Sequence, residues 1–343
     1  MKQLLILISG FIFFACRVDP EIMPILPPVT LQQEIPSGWP SPVYRFENNP
    51  ISQQKFELGR ALFYERKLSK DNTISCGTCH QPFVAFAQAD HRLSHGINDQ
   101  EGTRNSPALF NMAWLPSFMH DGAINHIEVQ PLAPINDPTE MGETLNSVLA
   151  KLQMDMKYQK LVKAAYGDSL MTTERMMKSM AQFMGLLVSS NSKYDRVQRA
   201  ETQFSASEQN GYTQFKAKCA SCHVEPLFSD FKFRNNGLAI DPVFKDGGRG
   251  ALKTDEPEHL YCFKTPSLRN IAKTQPYMHD GRFSTLEECL DHYKSGIVNK
   301  VNLDPLLING IKLSDQEKQD ILSFLNTLTD YEFISNPQFK DPN

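Results

Sequence analysis

Cys76-Gly77-Thr78-Cys79-His80 and Cys219-Ala220-Ser221-Cys222-His223 are two copies of one short pattern. Two cysteines three apart, followed directly by histidine, form the c-type haem attachment signature. The chemistry requires that order. The two thiols add covalently to the haem vinyl groups, and the adjacent imidazole then lies under the iron as its proximal ligand. A single copy could be a thioredoxin-like dithiol or half of a zinc site. Two copies, each with its histidine, argue against both. Zinc ribbons place their cysteine pairs about 15–20 residues apart, and these pairs are far more distant. A dithiol motif has no need of the histidine. The chain is therefore expected to hold two covalent haems c, with His80 and His223 as proximal ligands.

The remaining composition is that of an ordinary globular chain: 343 residues, 41% apolar and 22% charged. That length suggests about two domains. The formal net charge is −4 with no long run of either sign, which argues against nucleic acid or an anionic membrane surface as partner. Of seven cysteines, four belong to the haem motifs. Cys262 and Cys289 read as buried thiols, with a disulfide as the alternative. Lys2 followed by the apolar run Leu4 to Phe14 reads as an export signal, too short to span a bilayer. It ends at Ala15-Cys16, which resembles a lipobox. Residues 1–16 would then be a lipoprotein-type signal, with Cys16 lipidated on a periplasmic protein; ordinary cleavage nearby is the alternative.

Seven prolines between Pro20 and Pro42 make residues 17–45 an extended tether. A helix is expected from about Ser52, with Phe56, Leu58, Leu62 and Phe63 as its apolar positions. Residues 91–105 read as a loop. Residues 143–165 and 173–198 read as helices, the second starting at Thr173-Glu174. Its methionines 176, 177, 180 and 184 read as core packing rather than as ligands. Capping boxes at Ser205–Glu208 and Ser314–Glu317 open two further helices. Alternating strand patterns are few. The fold expected is mostly α, with an N-terminal haem domain over 46–200 and a C-terminal one over 201–335.

A repeat relates the two parts. Pro107-Ala108-Leu109-Phe110-Asn111-Met112-Ala113 leads at fixed spacing to Met119-His120-Asp121-Gly122. Pro266-Ser267-Leu268-Arg269-Asn270-Ile271-Ala272 leads at the same spacing to Met278-His279-Asp280-Gly281. The match points to internal duplication of one cytochrome c-like domain. Twelve residues after Gly281 stands Tyr293, whose phenol oxygen can bind ferric iron. Twelve residues after Gly122 stands Pro134, which has no ligand atom. One haem would be closed and would carry electrons, and the other would be open to peroxide or oxygen. Met278 is the alternative ligand at the second haem.

Over residues 50–330 the chain resembles the bacterial dihaem cytochrome c peroxidase and MauG family. The resemblance rests on the two haem motifs, Arg104-Asn105-Ser106-Pro107, the two Met-His-Asp-Gly runs, Pro134 to Met141, and Thr274 to Gly281. It implies that the N-terminal haem is the peroxide site and that the C-terminal haem receives electrons. It makes Glu140 the acid–base group and Gln130 the residue that holds peroxide or water. It makes His95 a resting-state ligand of the open haem. It implies a calcium ion held by the Asn105 side chain and the carbonyls of Thr274 and Pro276. The chain departs from the peroxidases in two places. Tyr293 stands where they have a methionine ligand, as in MauG, and His120 stands where they have a tryptophan between the haems. Trp114, His120 and His279 are the candidates to replace that relay.

The leading expectation is a periplasmic peroxidase that reduces hydrogen peroxide to water. Its electrons would come from a small cytochrome c or cupredoxin, and the resemblance is compatible with a homodimer. The second expectation is a MauG-like oxidase that modifies a protein or peptide through a high-valent iron state. The third is a dihaem electron carrier or redox sensor without turnover. Steady peroxide consumption with a reduced donor separates the first from the third.

Overall fold

Ser52 opens α1 (Gln53–Phe63), its hydroxyl accepting the Lys55 N–H at 3.2 Å. That satisfies one of the first-turn donors a helix cannot pair internally. Phe56, Leu58, Leu62 and Phe63 are all buried, as their spacing predicts. The computed structural model describes residues 31–342 apart from 90 and 299. The export segment, Cys16 and residues 17–30 of the tether lie outside the described residues. From Leu31 onward the chain forms one compact unit.

The single turn α2 (Cys76–Cys79) carries the first haem motif, and α3 (Leu132–Asn136) follows a long irregular stretch. The helix expected over 143–165 is in fact two, α4 (Leu145–Gln153) and α5 (Met156–Tyr166). Asp155 causes the break: its carboxylate accepts the Lys157 N–H at 2.8 Å and so restarts the chain as an N-cap. The helix expected over 173–198 is also two, α6 (Thr173–Gly185) and α7 (Lys193–Gln198). Ser192 caps the second of these by accepting the Asp195 N–H. The α6 cap is Thr172 rather than Thr173; its hydroxyl takes the Arg175 N–H at 3.2 Å. In each case a short polar side chain competes for backbone groups, which apolar periodicity does not register.

In the second part, α8 (Ala206–Lys218) opens on the Ser205–Glu208 box. Strands β1 (Phe233–Arg234) and β2 (Phe263–Lys264) pair antiparallel and are the only strands among the described residues. Helix α9 (Leu286–Asp291) runs into a π-helical turn over His292–Gly296. Helix α10 (Asp315–Asn326) opens on the Ser314–Glu317 box, and α11 (Tyr331–Ser335) follows. Helices thus supply nearly all the regular structure.

Among the described residues three apolar clusters form, two large and a small one around Ala113, Trp114 and Leu227. The first gathers Phe56, Phe63, Phe183 and the four α6 methionines; the second gathers Tyr194, Phe215, Phe228 and Phe324. Phe333 of α11 returns to the first core. Each large core has a helix pair that crosses at a glycine. A Cβ on Gly59 of α1 would lie 1.9 Å from the Ser179 carbonyl of α6, and one on Gly211 of α8 would lie 1.8 Å from the Asp320 carbonyl of α10. Only a residue without a side chain permits approach that close.

The two repeated stretches share backbone conformation. Asn111 and Asn270 are left-handed at φ 54° and 57°, and each opens a 3-10 turn. Met119 and Met278 are left-handed as well. The asparagines meet in the interior. Asn111 exchanges hydrogen bonds with the Ser189 backbone, and the Asn270 amide donates to Ser189 Oγ and accepts the Asp330 N–H. Residues 31–45 hold no helix or strand. They dock on this body: the Tyr44 N–H donates to the Ala113 carbonyl, and Trp114 Nε1 donates to the Pro40 carbonyl at 2.8 Å.

Candidate active site

The first haem motif is built to orient one imidazole. Ala85 and Phe86 are left-handed, at φ 56° and 60°. The turn they make brings the Phe86 carbonyl to 2.9 Å from His80 Nδ1. A carbonyl can only accept, so Nδ1 carries the proton and the Nε2 lone pair is left free for a metal. Burial lowers the His80 pKa to about 4, against the opposing pull of the Phe86 and Pro107 carbonyls, so the ring is neutral, as a ligand must be. The second motif repeats the device. His223 Nδ1 lies 3.1 Å from the Phe228 carbonyl and 3.2 Å from that of Pro266. Pro107 and Pro266 are the first residues of the two repeats.

Cys76, Cys79, Cys219 and Cys222 are free thiols, as are Cys262 and Cys289. Burial pushes the Cys76 and Cys219 thiols up to about 12. Each motif therefore presents two thiols outside any disulfide and a neutral imidazole whose Nδ1 is the hydrogen-bonded nitrogen. This donor set fits covalent haem c.

Glu140 lies close enough to the first motif for its charge to act on both the Cys76 and Cys79 thiols. Its carbonyl accepts the Ile97 N–H at 2.8 Å, and a Cβ on Gly96 would come within 2.4 Å of that oxygen. The 94–101 loop thus lies flush on residue 140. Burial, helped by the charge of Asp137, raises the Glu140 carboxyl to about 7. Cys79 Sγ is 3.7 Å from the His95 carbonyl. The His95 ring is engaged by Asp99 Oδ1 at 3.2 Å and Glu101 Oε1 at 3.5 Å, and it packs against His91. The structure therefore brings the His95 backbone, rather than its imidazole, to the motif. Gln130 Nε2 lies 4.0 Å from Met119 Sδ. Pro134 sits within α3.

Tyr293 stands on the π-helical turn, a helix defect that often marks functional positions. Its phenol is close enough to Cys219 and Cys222 to be affected by their charge, and burial raises it to about 12. Asn236 Nδ2 lies 3.4 Å from Tyr293 Oη and 3.5 Å from Met278 Sδ. The two candidate ligands named from the sequence therefore share one amide. Nothing in the sequence marks Asn236. It belongs to no motif, and only tertiary folding brings it to them.

Asn105 is buried, with its Nδ2 donating to the Arg92 carbonyl at 3.0 Å. Thr274 closes the 3-10 turn after Asn270, and Pro276 follows a cis peptide. Trp114 stacks edge-on against Trp39 at 5.1 Å. Arg104 grips Asp121 and Asp246, which lie in different halves of the chain. The spacing of single charges gives no hint of that cross-link.

The family profile described as di-haem cytochrome c peroxidase matches residues 53–203. The methylamine utilization protein MauG of Methylophilus methylotrophus is 33% identical over 85% of this chain and 86% of its own. The cytochrome c551 peroxidase of Nitrosomonas europaea is 29% identical over 85% of this chain and 84% of its own. Among solved structures, a MauG-like protein associated with microbial copper homeostasis superposes with a TM-score of 0.80 at 32% identity, covering 91% of this chain and 99% of that one.

Proposed function

Because the chain belongs to the di-haem cytochrome c peroxidase and MauG family, and so is an oxidoreductase with two haems c, we propose that it is a periplasmic peroxidase. It reduces hydrogen peroxide to water with electrons from a small cytochrome c or cupredoxin. Glu140 carries this reading: a half-buried carboxyl with a pKa of about 7, set beside the first haem motif. A group whose pKa is near the working pH can both take and give a proton.

Cys76, Cys79 and His80 would hold one haem, and Cys219, Cys222 and His223 the other. A bound haem supplies the iron that exchanges electrons with peroxide. Glu140 would take a proton from one peroxide oxygen and return it to the other, so that water is the leaving group. Gln130 orients peroxide or water by hydrogen bonding. His95 would serve as a resting-state ligand that leaves before peroxide enters, and freeing its ring costs the contacts with Asp99, Glu101 and the His91 ring. Asn105, Thr274 and Pro276 would hold a calcium ion at the joint between the halves. The shared conformation of the two repeats supports descent from one duplicated haem unit.

The second reading, a MauG-like oxidase acting on a protein or peptide, is favoured by one observation: the phenol of the half-buried Tyr293 lies close enough to Cys219 and Cys222 to feel their charge. A phenolate ligand stabilises ferric iron and lowers a haem potential. Steady-state consumption of peroxide with a reduced cytochrome donor tests the leading reading. Absence of turnover with every mild donor, together with loss of the second haem's six-coordinate ferric signature in Tyr293→Phe, would transfer support to the second.

A further inference from the structure

Each Met-His-Asp-Gly methionine meets a side-chain amide, but the two meetings differ. At the first site Met119 Sδ lies 4.0 Å from Gln130 Nε2, and Pro134, at the ligand spacing, offers no atom to iron. At the second site Asn236 Nδ2 lies 3.5 Å from Met278 Sδ and 3.4 Å from Tyr293 Oη. One amide therefore stands between two groups that can each bind iron, a thioether and a phenol oxygen.

Asn236 is held so that it acts there as a donor. Its Oδ1 accepts the Leu238 N–H at 3.3 Å, which leaves Nδ2 for Tyr293 and Met278. Its backbone carbonyl lies 3.0 Å from Nε2 of the buried His292. A carbonyl can only accept, so that nitrogen carries the proton. His292 directly precedes Tyr293 on the π-helical turn. The ring of one residue thus fixes the Asn236 backbone, and the Asn236 side chain reaches the next residue along. Asn235 steadies the same stretch: its Oδ1 accepts the Gly237 N–H at 2.8 Å, and its Nδ2 donates to the Val301 carbonyl.

The two acceptors are unequal. A thioether sulfur accepts weakly. A phenolate oxygen carries negative charge, and an N–H given to a charged acceptor makes the stronger bond. An amide shared between them therefore favours the state in which oxygen is the ligand.

We propose that Asn236 selects the axial ligand of the second haem, holding Tyr293 Oη as that ligand and keeping Met278 Sδ off the iron. It acts through these two side chains and is a positioning residue. The selection rests on the two-haem reading but not on which substrate the first site takes. It matters because a phenolate ligand lowers a haem potential and a thioether raises it. No electron or atom is transferred; one lone pair stands in place of another.

The test uses the full dihaem protein, with optical and EPR spectra of the ferric state and a redox titration resolved for each haem. Asn236→Asp keeps the shape and the acceptor for Leu238 but replaces the donor with an oxygen. Asn236→Leu removes both. Each is expected to lower the ratio of oxygen-bound to sulfur-bound second haem by about tenfold to a hundredfold, the reach of one hydrogen bond to a charged group. The readouts are a weaker phenolate-to-iron band, a new sulfur-to-iron band and a raised potential, with the first haem unchanged. Adding Met278→Leu to Asn236→Asp should abolish the sulfur band, whereas Met278→Leu alone should keep the wild-type spectrum. The single Met278→Leu variant carries the test if the Asn236 variants do not fold. Wild-type spectra and potentials in both Asn236 variants, a changed second haem in Met278→Leu alone, or an unchanged spectrum in Tyr293→Phe would each overturn the selection. Haem content by mass separates the two levels: fewer than two covalent haems sinks the two-haem reading, whereas two haems with unchanged Asn236 variants sink the selection alone. If peroxide turnover is absent while the spectra follow this order, the peroxidase reading fails and the selection stands.

Discussion

Replacing Glu140 by glutamine separates two effects of one half-buried carboxyl. Burial and the neighbouring Asp137 charge raise its pKa from 4.5 to about 7. The folded chain therefore holds this proton more tightly than the unfolded chain does. Below pH 4.5 both states are protonated and the group costs nothing. Between pH 4.5 and 7 the unfolded state releases the proton first, so stability falls as pH rises; above about pH 7 the cost is complete. The gap corresponds to about 1 kcal/mol at pH 5 and about 3 kcal/mol at pH 8, as upper limits for a partly buried group. Glu140→Gln has no charge to bury. Its melting temperature should exceed the wild type's by several degrees at pH 8 and by little at pH 5, at about 2–4 °C per kcal/mol. Peroxide turnover should fall by about a hundredfold or more, the usual scale for a lost acid–base group. The wild-type pH dependence centred near 7 should vanish with it. A variant that keeps its rate, or whose melting advantage is the same at both pH values, refutes the argument. A variant that is slower without the alkaline gain would keep Glu140 in the reaction but show that the carboxyl titrates near its ordinary value.

Other expected outcomes are as specific. Gly211→Ala places a methyl 1.8 Å from the Asp320 carbonyl, so α8 and α10 must part, and denaturation should show a loss of about 1–3 kcal/mol. Arg269 is fully buried and donates to Asp195 from both terminal guanidinium nitrogens. Arg269→Met leaves that carboxylate without its charge partner and should cost about 3–5 kcal/mol, read by thermal melting. If Tyr293 binds the second haem, Tyr293→Phe should raise that haem's potential in a redox titration and leave the first unchanged. A chelator should lower turnover and release a calcium ion measurable by atomic emission; unchanged activity and metal content would remove Asn105, Thr274 and Pro276 as its ligands.

The covalent requirements were settled by local sequence. Two thiols and an imidazole must be adjacent to hold a haem c, so Cys76-Cys79-His80 and Cys219-Cys222-His223 name their cofactor without any fold. Capping boxes at Ser205 and Ser314 were legible for the same reason, since an N-cap and its partner lie three residues apart. The breaks at Asp155 and Ser192 were less legible, because a polar side chain can cap or face solvent and the apolar phase does not reveal which. Tertiary structure decided what depends on burial and on distant meetings. Glu140 is by sequence an ordinary acid; its pKa near 7 exists only because folding removes water from it and sets it beside Cys76 and Cys79. Asn236 carries no signal until the π-helical turn and the left-handed Met278 bring Tyr293 and a thioether to its amide. The His120 and His279 runs could be matched letter by letter along the chain. That one buried asparagine, Asn105, joins them, accepting from His120 Nε2 and donating to the His279 carbonyl, follows from the packing of the two halves, because desolvation and hydrogen-bond geometry are properties of neighbours in space, and sequence distance does not encode them.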